Sequence, residues 1–162
     1  MRKIFPLALC AFLTLFSCSV VVAQQPTEGA EKEITKVIED FWTALGNFDP
    51  EAMKQTFDWP VSIVESSSKE TKNPRVLMLP TDLDKEFSGQ RPKSGHSEFF
   101  GTKLTDFKVQ MQNPTLALVT YTATLPATND PHKEGSFNAV AIVRKSPLWQ
   151  HAWKIIFITV PK

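Results

Sequence analysis

Helical patterns come first in this chain and strand patterns come last, an order that limits the folds it can adopt. A helix is predicted from Glu31, because apolar residues there follow the 3.6-residue period of one helix face: Ile34, Val37, Ile38, Phe41 and Leu45. Gly46 and Asn47 are predicted to end this helix in a left-handed turn.

A second helix is predicted at Asp49 and Pro50, since aspartate caps helix starts and proline fits the first turn. It is expected to end near Phe57, where Asp58-Trp59-Pro60 breaks it. Short strands are predicted at residues 61–64 and 75–79. Thr81 or Asp82 is then predicted to cap a third helix.

Four longer strands are predicted in the last part of the chain, where β-branched and aromatic residues are frequent: 99–112, 116–125, 137–143 and 153–160. Helices followed by a run of strands indicate an α+β fold, in which the helices cover one face of an antiparallel sheet.

The first 23 residues have the three parts of a secretory signal peptide. Arg2 and Lys3 are followed by an apolar stretch, and small residues precede an expected cut between Ala23 and Gln24. Two alternatives remain: a retained membrane anchor, and lipidation at Cys18, which would tether the protein to a membrane. We expect an exported protein, with a disordered lead-in at 24–30 and one domain at 31–162.

Removing the leader changes the chemistry that is available. Both cysteines, Cys10 and Cys18, leave with it, and 16 basic residues then face 17 acidic ones. A nearly neutral domain without a basic block is not expected to bind nucleic acid. No glycine-rich phosphate loop is present, and we predict no cofactor.

Several motifs resemble the nuclear transport factor 2-like superfamily, in its bacterial SnoaL-like branch. They are spread over residues 31–160 in the family's order: Ile34-x-x-Val37-Ile38-x-x-Phe41-Trp42-x-Ala44-Leu45, Phe48-Asp49-Pro50-Glu51-Ala52-Met53, Trp59-Pro60-Val61, Pro80-Thr81-Asp82-Leu83, Ala139-Val140-Ala141-Ile142-Val143-Arg144 and Trp153-Lys154-Ile155-Ile156. The resemblance implies a cone, a cystatin-like α+β roll in which a strongly curved sheet wraps around helices. It also implies a pocket at the wide end and homodimers through the outer sheet face.

The family that the chain resembles includes isomerases, dehydratases and non-catalytic ligand-binding proteins. The function therefore has to be inferred from individual residues. A ketosteroid isomerase-like site needs a tyrosine where this chain has Phe41. Asp58 lies roughly where that site has its general base, but it is also a natural turn residue. Tyr121, the only tyrosine, is the remaining candidate donor, and packing alone also explains it.

The resemblance makes Trp42 and Trp59 the better candidates for a ligand pocket, with Tyr121 and Asn138 as further wall residues. His96-x-Glu98 and His132-x-Glu134 lack the spacing of a helical zinc site, and we predict no metal site. The leading hypothesis is therefore an exported domain that binds a small apolar or amphipathic ligand. The alternatives are an isomerase or dehydratase that uses Asp58 and Tyr121, and a non-catalytic dimerisation or protein-interaction module.

The predicted signal peptide implies a specific mass for the mature protein. After secretion in a bacterial host, mass spectrometry should find a mature chain that begins at Gln24, because signal peptidase cuts after small residues. A lipid-modified N-terminus at Cys18, or an uncut chain, would contradict it.

Overall fold

The computed structural model describes residues 26–66, 75–88, 92, 94–126 and 135–161. These residues form three helices and six strands: α1 (Glu28–Gly46), α2 (Pro50–Thr56), β1 (Phe57–Ser66), β2 (Arg75–Leu77), α3 (Pro80–Phe87), β3 (Lys103–Asn113), β4 (Leu116–Leu125), β5 (Gly135–Lys145) and β6 (Trp153–Pro161). Within these ranges no helix is long and apolar enough to cross a membrane. The predicted signal peptide lies outside them.

Helix α1 begins earlier than its apolar pattern predicts. The Thr27 hydroxyl accepts a hydrogen bond from the Ala30 N–H at 3.4 Å, which caps the helix so that Glu28 is its first residue. The predicted disordered lead-in at 24–30 is therefore wrong for residues 28–30. The predicted start of α2 is confirmed, since the Asp49 carboxylate accepts from the Ala52 N–H at 3.0 Å.

The end of α1 is set by a close backbone approach. Asn47 has an ordinary right-handed conformation, and the left-handed residue is Phe48, at φ 54°. The predicted left-handed stop at Gly46 and Asn47 is therefore wrong. Gly46 is needed for another reason, because a Cβ there would lie 3.0 Å from the Cα of Phe100.

Helix α3 also begins one residue before the predicted cap. Pro80 is its first residue, and Asp82 lies inside the first turn. The Asp82 carboxylate reaches back and accepts from the N–H groups of Met78 and Leu79, at 3.1 and 3.0 Å. Asp82 therefore stabilises the helix start from within the first turn.

All six strands form one sheet in the order β2-β1-β6-β5-β4-β3. Neighbouring strands are antiparallel, apart from the parallel pair of β1 and β6. The predicted α+β class is confirmed. The predicted end of α2 near Phe57 is confirmed, since the helix ends at Thr56. The first strand begins earlier than predicted, because β1 starts at Phe57 and contains Asp58, Trp59 and Pro60.

The inner face of the sheet, which packs against α1, combines small and large side chains. Four cross-strand pairs of β4 and β5 each place an alanine opposite a larger residue: Ala117 with Val143, Val119 with Ala141, Tyr121 with Ala139, and Ala123 with Phe137. The four alanines are completely buried. The alternation leaves room for the large α1 side chains Phe41 and Trp42 in the core.

The outer face carries a row of directly opposed residues that crosses all six strands: Gln110, Leu118, Ile142, Phe157, Ser62 and Val76. Leu118, Ile142 and Phe157 are half-buried at its centre. We call these three residues the outer apolar patch.

Candidate functional site

A cavity of about 540 Å³ lies between the helices and one end of the sheet. We call it the helix–sheet cavity. Its described walls come from all three helices, from β1, β2 and β6, and from the loop before β3: Phe41, Leu45, Phe48, Met53, Ile63, Glu65, Arg75, Leu77, Leu83, Glu86, Phe87, Pro92, Ser97, Glu98, Phe99, Val160 and Pro161. Its volume falls in the range of roughly 300–1,000 Å³ that is typical of small-molecule sites.

Most of these walls are apolar, and sequence periodicity explains why. Phe41 and Leu45 belong to the apolar stripe of α1, and both line the cavity. Leu77 faces inward from β2, whereas its neighbour Val76 is exposed. From α3, Leu83 is fully buried, and Phe87 packs on Phe48 with ring centroids 4.7 Å apart.

Charged groups lie together on one part of the wall. The Arg75 guanidinium donates from Nη1 to Glu86 of α3 at 2.7 Å and from Nη2 to Glu65 of β1. Outside the cavity wall, Lys54 of α2 pairs with Asp84 of α3 at 2.6 Å. These ion pairs connect α3 to β2 and α2, although solvent-exposed pairs contribute only about 0–1 kcal/mol each.

Asp58 lies elsewhere, in a buried polar cluster. Its carboxylate is 1% exposed and accepts from Arg144 at 2.7 Å (Nε) and 2.6 Å (Nη2), both at Oδ2. Its other oxygen accepts from the fully buried Ser146 hydroxyl at 2.9 Å. Both carboxylate oxygens thus have partners, and the cluster connects β1 to the end of β5 and the turn after it.

Tyr121 lies in the core and is bonded to a residue of α1. Its hydroxyl accepts from the Trp42 indole N–H at 2.9 Å, and its ring stacks on Phe107 at 5.3 Å. Burial raises the pKa of the Tyr121 phenol, and the Trp42 hydrogen bond offsets this only partly. Tyr121 is therefore neutral at physiological pH.

The structure does not bring Asp58 and Tyr121 into a shared site. Tyr121 is paired with Ala139 on the inner face, and Arg144, the partner of Asp58, alternates with the inner residue Val143 along β5. Side chains alternate between faces along a strand, so Arg144 and Tyr121 lie on opposite sides of the sheet. Neither Asp58 nor Tyr121 lines the helix–sheet cavity.

The other predicted pocket residues also lie outside this cavity. Trp42 is buried and borders a separate groove beside the loop before β3. Trp59 packs edge-on against Phe57 at 5.6 Å. The prediction for Asn138 is corrected, since it is exposed and paired with Thr122 on the outer face.

The histidine motifs give no metal centre among the described residues, where no group of three or more metal-binding side chains comes together. His96 instead stacks on Phe100, with ring centroids 3.8 Å apart. His132 and Glu134 lie outside the described residues.

Sequence reasoning missed the polar wall of the cavity. Arg75 is the first residue of the short strand β2, and Glu86 lies on α3 near its end. Eleven residues separate the two along the chain. The available signal was one basic residue entering a strand and acidic residues on the following helix, a pattern too common to select a site.

Comparisons with known proteins support the fold. A protein of unknown function with a cystatin-like fold from Nostoc punctiforme is 17% identical, with a TM-score of 0.61, covering 85% of this chain and 94% of that one. An NTF2-like protein of unknown function from Pseudomonas putida is 14% identical, with a TM-score of 0.59 and coverage of 83% and 87%. A Parabacteroides distasonis protein, provisionally named a ketosteroid isomerase, is 15% identical, with a TM-score of 0.56 and coverage of 86% and 93%.

In sequence, the chain matches no protein-family model and no curated protein. Three helices on one curved six-stranded sheet, with a cavity between them, define an α+β cone. The similarity to these solved structures shows that the chain has the nuclear transport factor 2-like fold. The resemblance predicted from the sequence is thereby confirmed at the level of the fold, and the SnoaL-like branch stays a prediction.

The Asp58 cluster is expected to act structurally. Replacing Asp58 with alanine should lower the free energy of unfolding by about 2 kcal/mol, because the buried Ser146 hydroxyl loses its acceptor while Arg144 regains water. Urea denaturation measures this. The control is Asp40→Ala, which removes an exposed pair with Lys36 and should change stability by less than about 0.5 kcal/mol. Equal effects of the two substitutions would contradict a structural role for Asp58.

Proposed function

We propose that this protein binds a small apolar or amphipathic molecule in the helix–sheet cavity. The observation that carries the proposal is the cavity itself, which has ligand-sized volume and mostly apolar walls. An apolar ligand portion would pack against Phe41, Leu45 and Leu83, where leaving water is favourable. A polar end would lie toward Arg75 and its carboxylate partners, where it keeps hydrogen-bond partners.

The isomerase alternative has less support. A general base must reach the proton that it abstracts, within about 3 Å or through one water. Asp58 has hydrogen-bond donors on both carboxylate oxygens, and Tyr121 belongs to the opposite face of the sheet from Arg144. The provisional name of the Parabacteroides distasonis protein therefore does not transfer a catalytic pair to this chain.

We also propose that the binding domain acts outside the cytoplasm. The support comes from sequence alone: the basic start at Arg2, the apolar stretch after it, and the expected cut at Ala23.

Filling the cavity tests the binding proposal. Leu77→Trp should abolish binding, because the larger side chain points from β2 into the cavity. The matched control is Val76→Trp on the next residue, which is 53% exposed and faces away. The measurement is thermal shift with lipids, sterols and aromatic metabolites, followed by calorimetry on compounds that stabilise the parent protein.

Each outcome bears on the proposal. Stabilisation of the parent and of Val76→Trp, without stabilisation of a folded Leu77→Trp, supports it. Equal stabilisation of both variants would place the ligand outside this cavity. If no compound in a broad set stabilised the parent, the ligand role would be contradicted.

We propose in addition that the outer face is the interface of a homodimer. The outer apolar patch joins Leu118, Ile142 and Phe157 directly across β4, β5 and β6. The buried faces of the helices pack on the other side of the sheet, and no described helix covers the patch. A second copy placed on it would bury this apolar surface, as homodimer interfaces do.

The dimer proposal predicts that Ile142→Glu makes the protein monomeric, because the charge would be desolvated at the centre of the interface. Light scattering after size exclusion measures the mass. The control Thr43→Glu adds the same charge on an exposed position of α1 and should leave a dimer. A parent protein that is monomeric at high concentration would refute the proposal.

A further inference from the structure

A short segment before β3 forms part of the wall of the helix–sheet cavity. We call residues 95–101 the flap. Its residues Ser97, Glu98 and Phe99 line the cavity, and Glu98 is exposed. Glu86 of α3, which also lines the cavity, is exposed too. Exposed wall residues mark the mouth of a cavity, so the flap lies at the rim.

Each end of the flap is a glycine in the left-handed region. Gly95 has φ 77° and Gly101 has φ 84°. Chain neighbours apart, no atom of the described residues lies within 4 Å of the place that a Cβ would take at either glycine. Conformation, not space, therefore requires glycine here. Because glycine adopts positive and negative φ about equally readily, both ends of the flap can act as hinges.

Ser97 attaches the flap to the end of α1. Its backbone N–H donates to the Gly46 carbonyl at 2.8 Å, and its hydroxyl donates to the Leu45 carbonyl at 2.7 Å. Both carbonyls belong to the last turn of α1, where the helix has no further N–H groups to offer them. Water can replace Ser97 at both carbonyls when the flap moves away, so detachment costs little hydrogen-bond energy.

The flap backbone also lies directly on Gly46. A Cβ at this position would stand 3.0 Å from the Cα of Phe100 and 3.2 Å from the carbonyl oxygen of Phe99. The contact therefore depends on the absence of a side chain. A methyl group here would push the flap away from α1 while the helix itself is retained, because alanine is a better helix former than glycine.

Local hydrogen bonds maintain the shape of the flap. The Phe100 N–H donates to the Ser97 carbonyl at 3.1 Å, and the Phe99 N–H donates to the Ser97 hydroxyl at 3.2 Å. Every residue of the flap is half-buried or exposed. Segments with few buried contacts open locally while the rest of the domain stays folded. The flap can therefore move as one unit.

We propose that the flap is a gate that controls access to the helix–sheet cavity, an inference that rests on the proposed binding function. It swings about Gly95 and Gly101, withdraws Phe99 from the wall to admit a ligand, and then closes again. In the closed state Phe99 packs edge-on against Trp42, with ring centroids 6.0 Å apart, and the two Ser97 bonds hold it there.

Labelling of a cysteine inside the cavity tests the gate without a ligand. Met53 lines the cavity and is 2% exposed, so a thiol introduced by Met53→Cys reacts with N-ethylmaleimide only when the reagent enters. Adding Ser97→Ala removes the hydroxyl bond to α1 and should make labelling roughly fivefold faster. Peptide mapping assigns the label to position 53, so Cys10 and Cys18 do not interfere.

Two further variants separate the gate from general loosening. Gly46→Ala should also accelerate labelling, because the added methyl group displaces the flap. The matched control is Ser88→Ala, which removes a hydroxyl bond of 2.8 Å to the Lys85 carbonyl at the end of α3. It should label at the rate of the Met53→Cys protein.

Hydrogen exchange measures the opening itself. The Ser97 amide should exchange roughly tenfold or more faster than the strand amides of β4 and β5, at a rate that low concentrations of urea leave unchanged. Faster labelling of Ser97→Ala together with such local exchange supports the gate.

The gate is overturned if Ser97→Ala, shown by its melting curve to be folded, labels at the rate of the control. It is overturned too if the Ser97 amide exchanges only through global unfolding. A cavity with a working gate that binds no compound would contradict the proposed function alone, so the two failures are distinguishable.

Discussion

Helix α1 can lie against the curved sheet only because the side chains beneath it alternate in size. Every inner pair between Ala117–Val143 and Ala123–Phe137 sets an alanine against a larger residue. Interiors pack at nearly constant density, so the alanines create the recesses that receive Phe41 and Trp42. A second large side chain in any of these pairs would push the helix away from the sheet.

The same packing explains where the cone is closed and where it is open. Near the C-terminal end of α1, Trp42 is bonded to Tyr121 and packs on Phe137 and Phe99, with ring centroids 5.9 and 6.0 Å apart. Aromatic groups therefore fill that region, and their polar atoms satisfy one another. Toward β2 and α3, Leu77 and Leu83 leave space. A ligand that binds at that end therefore leaves the hydrogen bond between Trp42 and Tyr121 buried and intact.

The sequence allowed the strand and helix order to be predicted, because apolar periodicity is a local signal. Contacts between distant residues were not predictable in the same way. The glycine at position 46 looked like a left-handed stop, yet it is required by the backbone of Phe100, more than fifty residues later. Asp58 looked like a turn residue or a base, and its partners Arg144 and Ser146 lie 86 and 88 residues away. Local sequence patterns identify residues that favour a helix end or a turn. Contacts with distant residues decide which role each of them has in the folded protein.

The position of Asp58 also bears on the choice between catalysis and binding. A catalytic carboxylate needs a free lone pair directed at a substrate, in an environment that tunes its proton affinity. Here a guanidinium and a hydroxyl engage both oxygens, and their effect is to fix a turn whose tip is apolar and exposed. The carboxylate that the resemblance suggests as a base thus has a structural role, since it connects β1 to the turn between β5 and β6. That role is compatible with ligand binding at the opposite end of the molecule, since the cavity and the cluster share no residue.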